Sequence, residues 1–211
     1  MSRRSTRPNG LRTSIAAAAA RIMAEDGIDD FALAKRKAAR QLGASDMQAL
    51  PGNDEIEAEL HAYRSLYQAE EHPERLQALR SAALDAMRLL ERFHPYLTGP
   101  VLTGTAGPYA DIDLQLFPES GKEVEIFLLD LGVTYDCVEA RRYTGDRARA
   151  ISLLRFEWKG ARFNVSVLDQ RDHRTALKTS VAGRVMERAA AGEVAALLNQ
   201  GAKIKTHTTS A

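Results

Sequence analysis

The chain has 211 residues, 45% of them apolar, with 29 Lys and Arg against 28 Asp and Glu for a net charge of +1. That much apolar side chain can bury a core without outside staples, and the near-zero balance argues against a general nucleic-acid binder or a membrane-surface protein. Cys137 is the only cysteine, which excludes an internal disulfide and any multi-cysteine metal site; it fits a reducing, cytoplasmic compartment, where a buried, inert thiol is expected.

The opening "MSRRSTRPNG" reads as a disordered basic tail over residues 1–12. In "SIAAAAARIMA" Arg21 interrupts a run of alanines too weakly apolar for a signal-peptide core, so the segment is read as a cytosolic helix. No stretch approaches the roughly 18 apolar residues of a membrane span. The first helix is expected to be capped by Thr13 or Ser14 and to stop at Gly27, and the second to run from a cap at Asp29 or Asp30 to Gly43. After Pro51-Gly52, Asn53 caps a third helix with Ile56, Leu60, Tyr63 and Tyr67 in one stripe. Pro73 suits the first turn of a fourth, whose apolar face is Leu76, Leu79, Ala83, Met87 and Leu90. Residues 13–95 thus form a helical region.

From 96 to 200 the pattern changes to an α+β domain. Strands are predicted over Pro100–Thr105 and Asp111–Phe117, where Ile112, Leu114 and Leu116 alternate with Asp111, Asp113 and Gln115. "GKEVEIFLLDLG" has helical spacing (Val124, Phe127, Leu128, Leu131) and a stop at Gly132, and "VTYDCVEARR" reads as a further strand. "AISLLRFEWKGARFNVSVLD" is a hairpin turning at Lys159-Gly160, with Leu154, Phe156 and Trp158 facing the same way as Phe163, Val165 and Val167. A helix from about Val181 to Leu198 and a flexible tail over 201–211 complete the chain. The expected architecture is α+β: an amino-terminal helical region, then a mixed sheet of about five strands with covering helices.

Asp111 and Asp113, at i and i+2 of a strand, point to one face about 7 Å apart at the backbone. Two hard anionic oxygens so placed suit Mg²⁺, whose other positions go to water and phosphate. Ahead of them, Gly104 would allow close backbone approach and Thr105 would offer a hydroxyl to phosphate oxygens. The same Asp-x-Asp-x-Gln alternation also describes an ordinary solvated sheet face.

Gly104-Thr105 followed by Asp111-Ile112-Asp113 resembles the nucleotidyltransferase superfamily typified by DNA polymerase β, in which a strand ends in Gly-Ser and the next carries Asp-x-Asp; the resemblance covers roughly residues 97–169. It implies Mg²⁺, a nucleoside triphosphate, and transfer of a nucleotidyl group to an acceptor, nucleic acid or protein, that the sequence does not identify. Asp111 and Asp113 would then be the catalytic and metal-holding pair. The family places a short helix between its two motifs, where "AGPYA" is too short for one, and a third carboxylate on a later strand, where "RFNVSVLD" offers only Asn164 and Ser166. Glu125, Glu157 and Asp169 are the candidate replacements. Similar short bacterial proteins carry the label UDP-N-acetylmuramate–alanine ligase, but no GxxxxGK[ST] loop is present and the chain is short for that enzyme's several domains.

Two further features offer alternatives. Residues 141–188 hold 12 Lys and Arg against five acids; Arg155 and Arg162, and also Arg171 or Arg174, could neutralise a triphosphate or an RNA backbone. Residues 15–45 resemble the opening of helix-turn-helix regulators, with Lys35, Arg36, Lys37 and Arg40 toward phosphates, although Pro51-Gly52 cuts the next segment short. The competing reading is therefore a non-catalytic nucleotide-binding or DNA-binding protein. No histidine pair has metal-ligand spacing.

Overall fold

The computed structural model describes residues 8–28, 30–44, 50–67, 71–144, 146–179 and 185–208. By its internal contacts the chain divides into two compact units, Met1–Glu74 with Gly104–Ala110, and Arg75–Thr103 with Asp111–Ala211. The boundary read from the sequence, between 95 and 96, falls later because it followed the change from helix to strand pattern.

The first unit is built on α1 (Pro8–Asp26), α2 (Phe31–Gln41) and α3 (Asn53–Tyr67). The expected start of α1 at Thr13 is too late. Pro8 suits a first turn, having no N–H to leave unsatisfied, and Ser14 lies inside the helix, its hydroxyl donating to Gly10 O at 2.8 Å. At α2 the capping residue is Asp30, which accepts from Ala32 N and Leu33 N at 2.7 and 3.1 Å; Asp29 lies outside the described residues. The helix closes as expected at Gly43 (φ +64), with Gly43 N bonded to Arg40 O and Ala44 N to Ala39 O. Ile15, Ala19, Ile22 and Met23 of α1 meet Ala34 and Ala38 of α2 and Ile56 and Leu60 of α3 in one buried cluster. The stripe of α3 ends early. Tyr63 packs against Tyr67 with the rings tilted by 35° and donates to Glu25, whereas Tyr67 is exposed and Arg64 is buried.

The second unit is a six-stranded mixed sheet, one strand more than expected, in the order β3-β4-β5-β2-β1-β6. Its strands are β1 (Tyr96–Thr98), β2 (Ile112–Leu116), β3 (Tyr135–Thr144), β4 (Arg147–Trp158), β5 (Ala161–Val167) and β6 (Arg188–Ala189). The β2–β5 pair is parallel and every other neighbour is antiparallel. β4 and β5 form the predicted hairpin, turning on Lys159 (φ 50) and Gly160 (φ 76). Leu97, Leu114, Val165 and Leu154, then Ile112, Phe163 and Phe156, line up across the sheet as its apolar face.

Four expectations are corrected in this unit. No strand spans Pro100–Thr105: the strand is the short β1, and Gly99–Thr103 forms helix α5, because Gly99 takes φ +70 and Pro100 favours a helix's first turn. Residues 188–189 pair with β1 as β6, and the last helix, α7, runs Ala191–Thr208, replacing both the helix expected from Val181 and much of the flexible tail; 180–184 lie outside the described residues. Cys137 is exposed, since β3 is the sheet's edge strand. The remaining helices are α4 (Glu71–Leu89), with Pro73 in its first turn, and α6 (Gly121–Asp130), stopped at Gly132 (φ +68). Leu131, expected on the apolar face of α6, is exposed.

Candidate functional site

Residues directly opposite on paired strands share a sheet face. Thr98 lies opposite Asp113, Asp113 opposite Asn164, Asn164 opposite Arg155, and Arg155 opposite Asp136, so one row of polar side chains crosses five strands. The next row toward the carboxyl end of β2 carries Gln115 and Ser166, both buried. On the other side Arg162 faces Glu157, and Asp111 sits just ahead of β2. The alternation that buries Ile112 and Leu114 therefore turns Asp113 to the opposite face.

The carboxylates of Asp111 and Asp113 converge. Asn164 Nδ2 donates to Asp111 Oδ2 and to Asp113 Oδ1, each at 3.2 Å. Arg162 Nη2 lies 2.9 Å from Asp111 Oδ1 in an ion pair that both side chains keep partly solvated. On the far side of the pair, the backbone of Gly99 closes on Asp113: a β-carbon there would fall 2.4 Å from Asp113 Oδ2. Gly99 is held in turn through α5, whose last carbonyls, Val101 O and Leu102 O, accept from Arg80 at 3.0 and 2.9 Å. Burial lowers the pKa of the Arg80 guanidinium.

Arg142 reaches over β4 from β3 to donate to Ser166 Oγ at 3.0 Å. Its pKa is lowered by burial, against which the charge of Asp113 acts in the opposite sense. Among the described residues its Nε is buried without a hydrogen-bond partner. An open hollow of about 370 Å³ adjoins Asp111, lined by Asp111, Asp136, Arg155, Glu157, Arg162 and Asn164 together with Tyr135 and Phe163.

Of the residues singled out in the sequence, Asp111, Asp113, Arg155 and Arg162 thus belong to one face of the second unit. Gly104 and Thr105 belong to the first unit, where Gly104 (φ +83) accepts the His72 ring N–H at 3.0 Å and Thr105 is buried. The tight backbone approach to the aspartate pair is made by Gly99. Of the three replacement acids, Glu157 shares the hollow, Glu125 accepts from the Tyr135 hydroxyl at 3.2 Å, and Asp169 is paired with Arg149. Gly99, Arg142 and Arg80 were not anticipated; the only local signal was Pro100 after a glycine.

Two carboxylate oxygens converging on one point form a hard-oxygen donor set that fits Mg²⁺, an ion commonly held by one or two carboxylates plus substrate phosphates. No group of three His, Cys, Asp or Glu side chains among the described residues forms a metal cage, so Asp111 and Asp113 would hold such an ion with oxygens from the ligand. Among the described residues no helix is long and apolar enough to cross a membrane. No family model, no curated protein and no solved structure matches the chain.

Proposed function

We propose that the chain is a nucleotidyltransferase-like protein that uses Mg²⁺ to bind a nucleoside triphosphate and passes its nucleotidyl group to an acceptor. The observation that carries this reading is the meeting of Asp111 Oδ2 and Asp113 Oδ1 at a single atom of Asn164. The chain order supports it: the strand β1, the short helix α5 opening at Gly99, Asp111 just ahead of β2 with Asp113 on it, and a parallel neighbour bearing Asn164. The family pattern has a short helix ahead of its aspartate strand, and α5 is a short helix ahead of Asp111 and Asp113. Bound magnesium would neutralise phosphate charge. Asp111 and Asp113 would hold it, Arg155 and Arg162 at the hollow would take phosphate oxygens, and Asn164 would fix the carboxylates' spacing.

Labelled nucleoside triphosphates incubated with Mg²⁺ and candidate acceptors test the assignment. Incorporation is expected from the native protein and not from Asp111→Asn/Asp113→Asn; incorporation that survives both substitutions rejects these roles.

Asn164 favours a second reading, a nucleotide-binding protein without transfer. It stands beside the pair where the family pattern has an acid, and a neutral amide cannot take a proton from an attacking hydroxyl. Metal-dependent nucleotide binding without incorporation identifies that outcome. For the DNA-binding alternative, Lys37 is paired with Asp26 at 3.2 Å and residues 45–49, which would follow the basic helix, lie outside the described residues.

A further inference from the structure

At the carboxyl ends of β2 and β5, beyond the row that holds the aspartates, a second hollow of about 420 Å³ is lined by His94, Gln170, Arg171, His173 and Arg174. No acid lines it. The reason lies in the sequence "DQRDHR", residues 169–174, whose last five residues form a 3-10 helix. With three residues per turn, positions three apart fall on one side of the helix, which puts Arg171 and Arg174 together. Arg149 of β4 takes both acids, through Nη2 to Asp169 and Nη1 to Asp172. The two arginines are left exposed, and among the described residues neither is ion-paired.

The histidines form the back wall. His173 Nε2 lies 2.9 Å from the Tyr96 hydroxyl, and its ring meets the edges of Phe117 and Tyr96. Arg188 donates to the His173 carbonyl while its guanidinium covers the Tyr96 and Phe117 rings. His94 faces His173 at 6.4 Å from a left-handed backbone (φ 50), a conformation unusual for a side chain of this size. Burial, then the charges of Arg188, His94 and Arg174, lower the pKa of His173.

We propose that this hollow binds a phosphate dianion, free or as the terminal group of a phosphate monoester, between Arg171, Arg174 and the His94–His173 pair. Two guanidinium forks, an amide and imidazole N–H groups supply more donors than a carboxylate can accept, and they match a tetrahedral dianion. Arg171 and Arg174 meet at one hollow, which favours a single phosphate over a polynucleotide backbone.

The full-length protein titrated with inorganic phosphate, phenyl phosphate and dimethyl phosphate at constant ionic strength, with chloride as reference, tests the site through the ring resonances of His94 and His173. Saturable displacement of both rings by phosphate and the monoester is expected, with binding about tenfold weaker or more for the monoanionic diester and for Arg171→Ala/Arg174→Ala. Tighter binding of the ester than of free phosphate identifies an organic ligand, and the reverse identifies the inorganic ion. Because both arginines are exposed, the variant should keep its melting midpoint, and Arg171→Lys/Arg174→Lys should bind with intermediate affinity. A response no different from chloride, saturation unaltered in the alanine variant, or tighter binding of a single-stranded oligonucleotide would overturn the assignment.

Discussion

Gly99 and Asp113 are in direct backbone-to-carboxylate contact, with a β-carbon at Gly99 calculated to fall 2.4 Å from Asp113 Oδ2. Gly99 also has φ +70, a conformation costly for any other residue. Gly99→Ala is therefore expected to lower unfolding free energy by about 1–3 kcal/mol and to weaken Mg²⁺ binding by turning Asp113 aside. Denaturant unfolding and a Mg²⁺ titration check the two effects; an unchanged affinity would mean that Asp113 does not hold the metal.

Asn164 serves as a neutral spacer between two carboxylates. Asn164→Asp replaces its donating amide with a third negative charge, so without divalent ions the variant should lose about 1–3 kcal/mol of stability, and Mg²⁺ should restore more of its melting temperature than it adds to the native protein. Equal Mg²⁺ responses would show that no cation enters between these side chains.

Arg80 acts at a distance, through α5. Arg80→Ala leaves Val101 O and Leu102 O without their guanidinium donors, a loss of about 1–3 kcal/mol. Loosening of α5 should also weaken Mg²⁺ binding at Asp113, although Arg80 touches neither aspartate through these bonds.

In the first unit, the hydrogen bond from Arg12 and then the Gly52 N–H hold the Glu55 carboxyl at about 2, well below its ordinary 4.5. A depressed carboxylate stabilises the fold fully above its unfolded pKa and loses that contribution as pH falls through the folded value. The native protein should therefore exceed Glu55→Gln in stability at neutral pH, with the gap closing between pH 4.5 and about 2. Unfolding curves at several pH values read this directly, and a gap that stays constant would show that Glu55 ionisation is not linked to folding.

The elements legible in the sequence were those whose side chains announce a period or a cap. Residues 112–116 alternate, the 150–169 hairpin turns where Lys159-Gly160 permits, and α2 is capped by Asp30 and closed off at Gly43. β1 has three residues, too few for any periodicity, and the turn that follows it was marked only by Gly99-Pro100, which read more easily as strand than as helix start. The value of Asn164 lies in bridging two acids across the β2–β5 pair, a relationship set by register. Arg142 required knowing that β3, β4 and β5 lie side by side, and Cys137 that β3 is the edge.

Calorimetric titration with ATP and GTP, in the presence and absence of Mg²⁺, tests the central claim most directly. Saturable heat that requires Mg²⁺ and vanishes in Asp111→Asn/Asp113→Asn is the predicted result. Nucleotide binding that is indifferent to magnesium, or undiminished in that double variant, would contradict a metal-mediated nucleotide site at this aspartate pair.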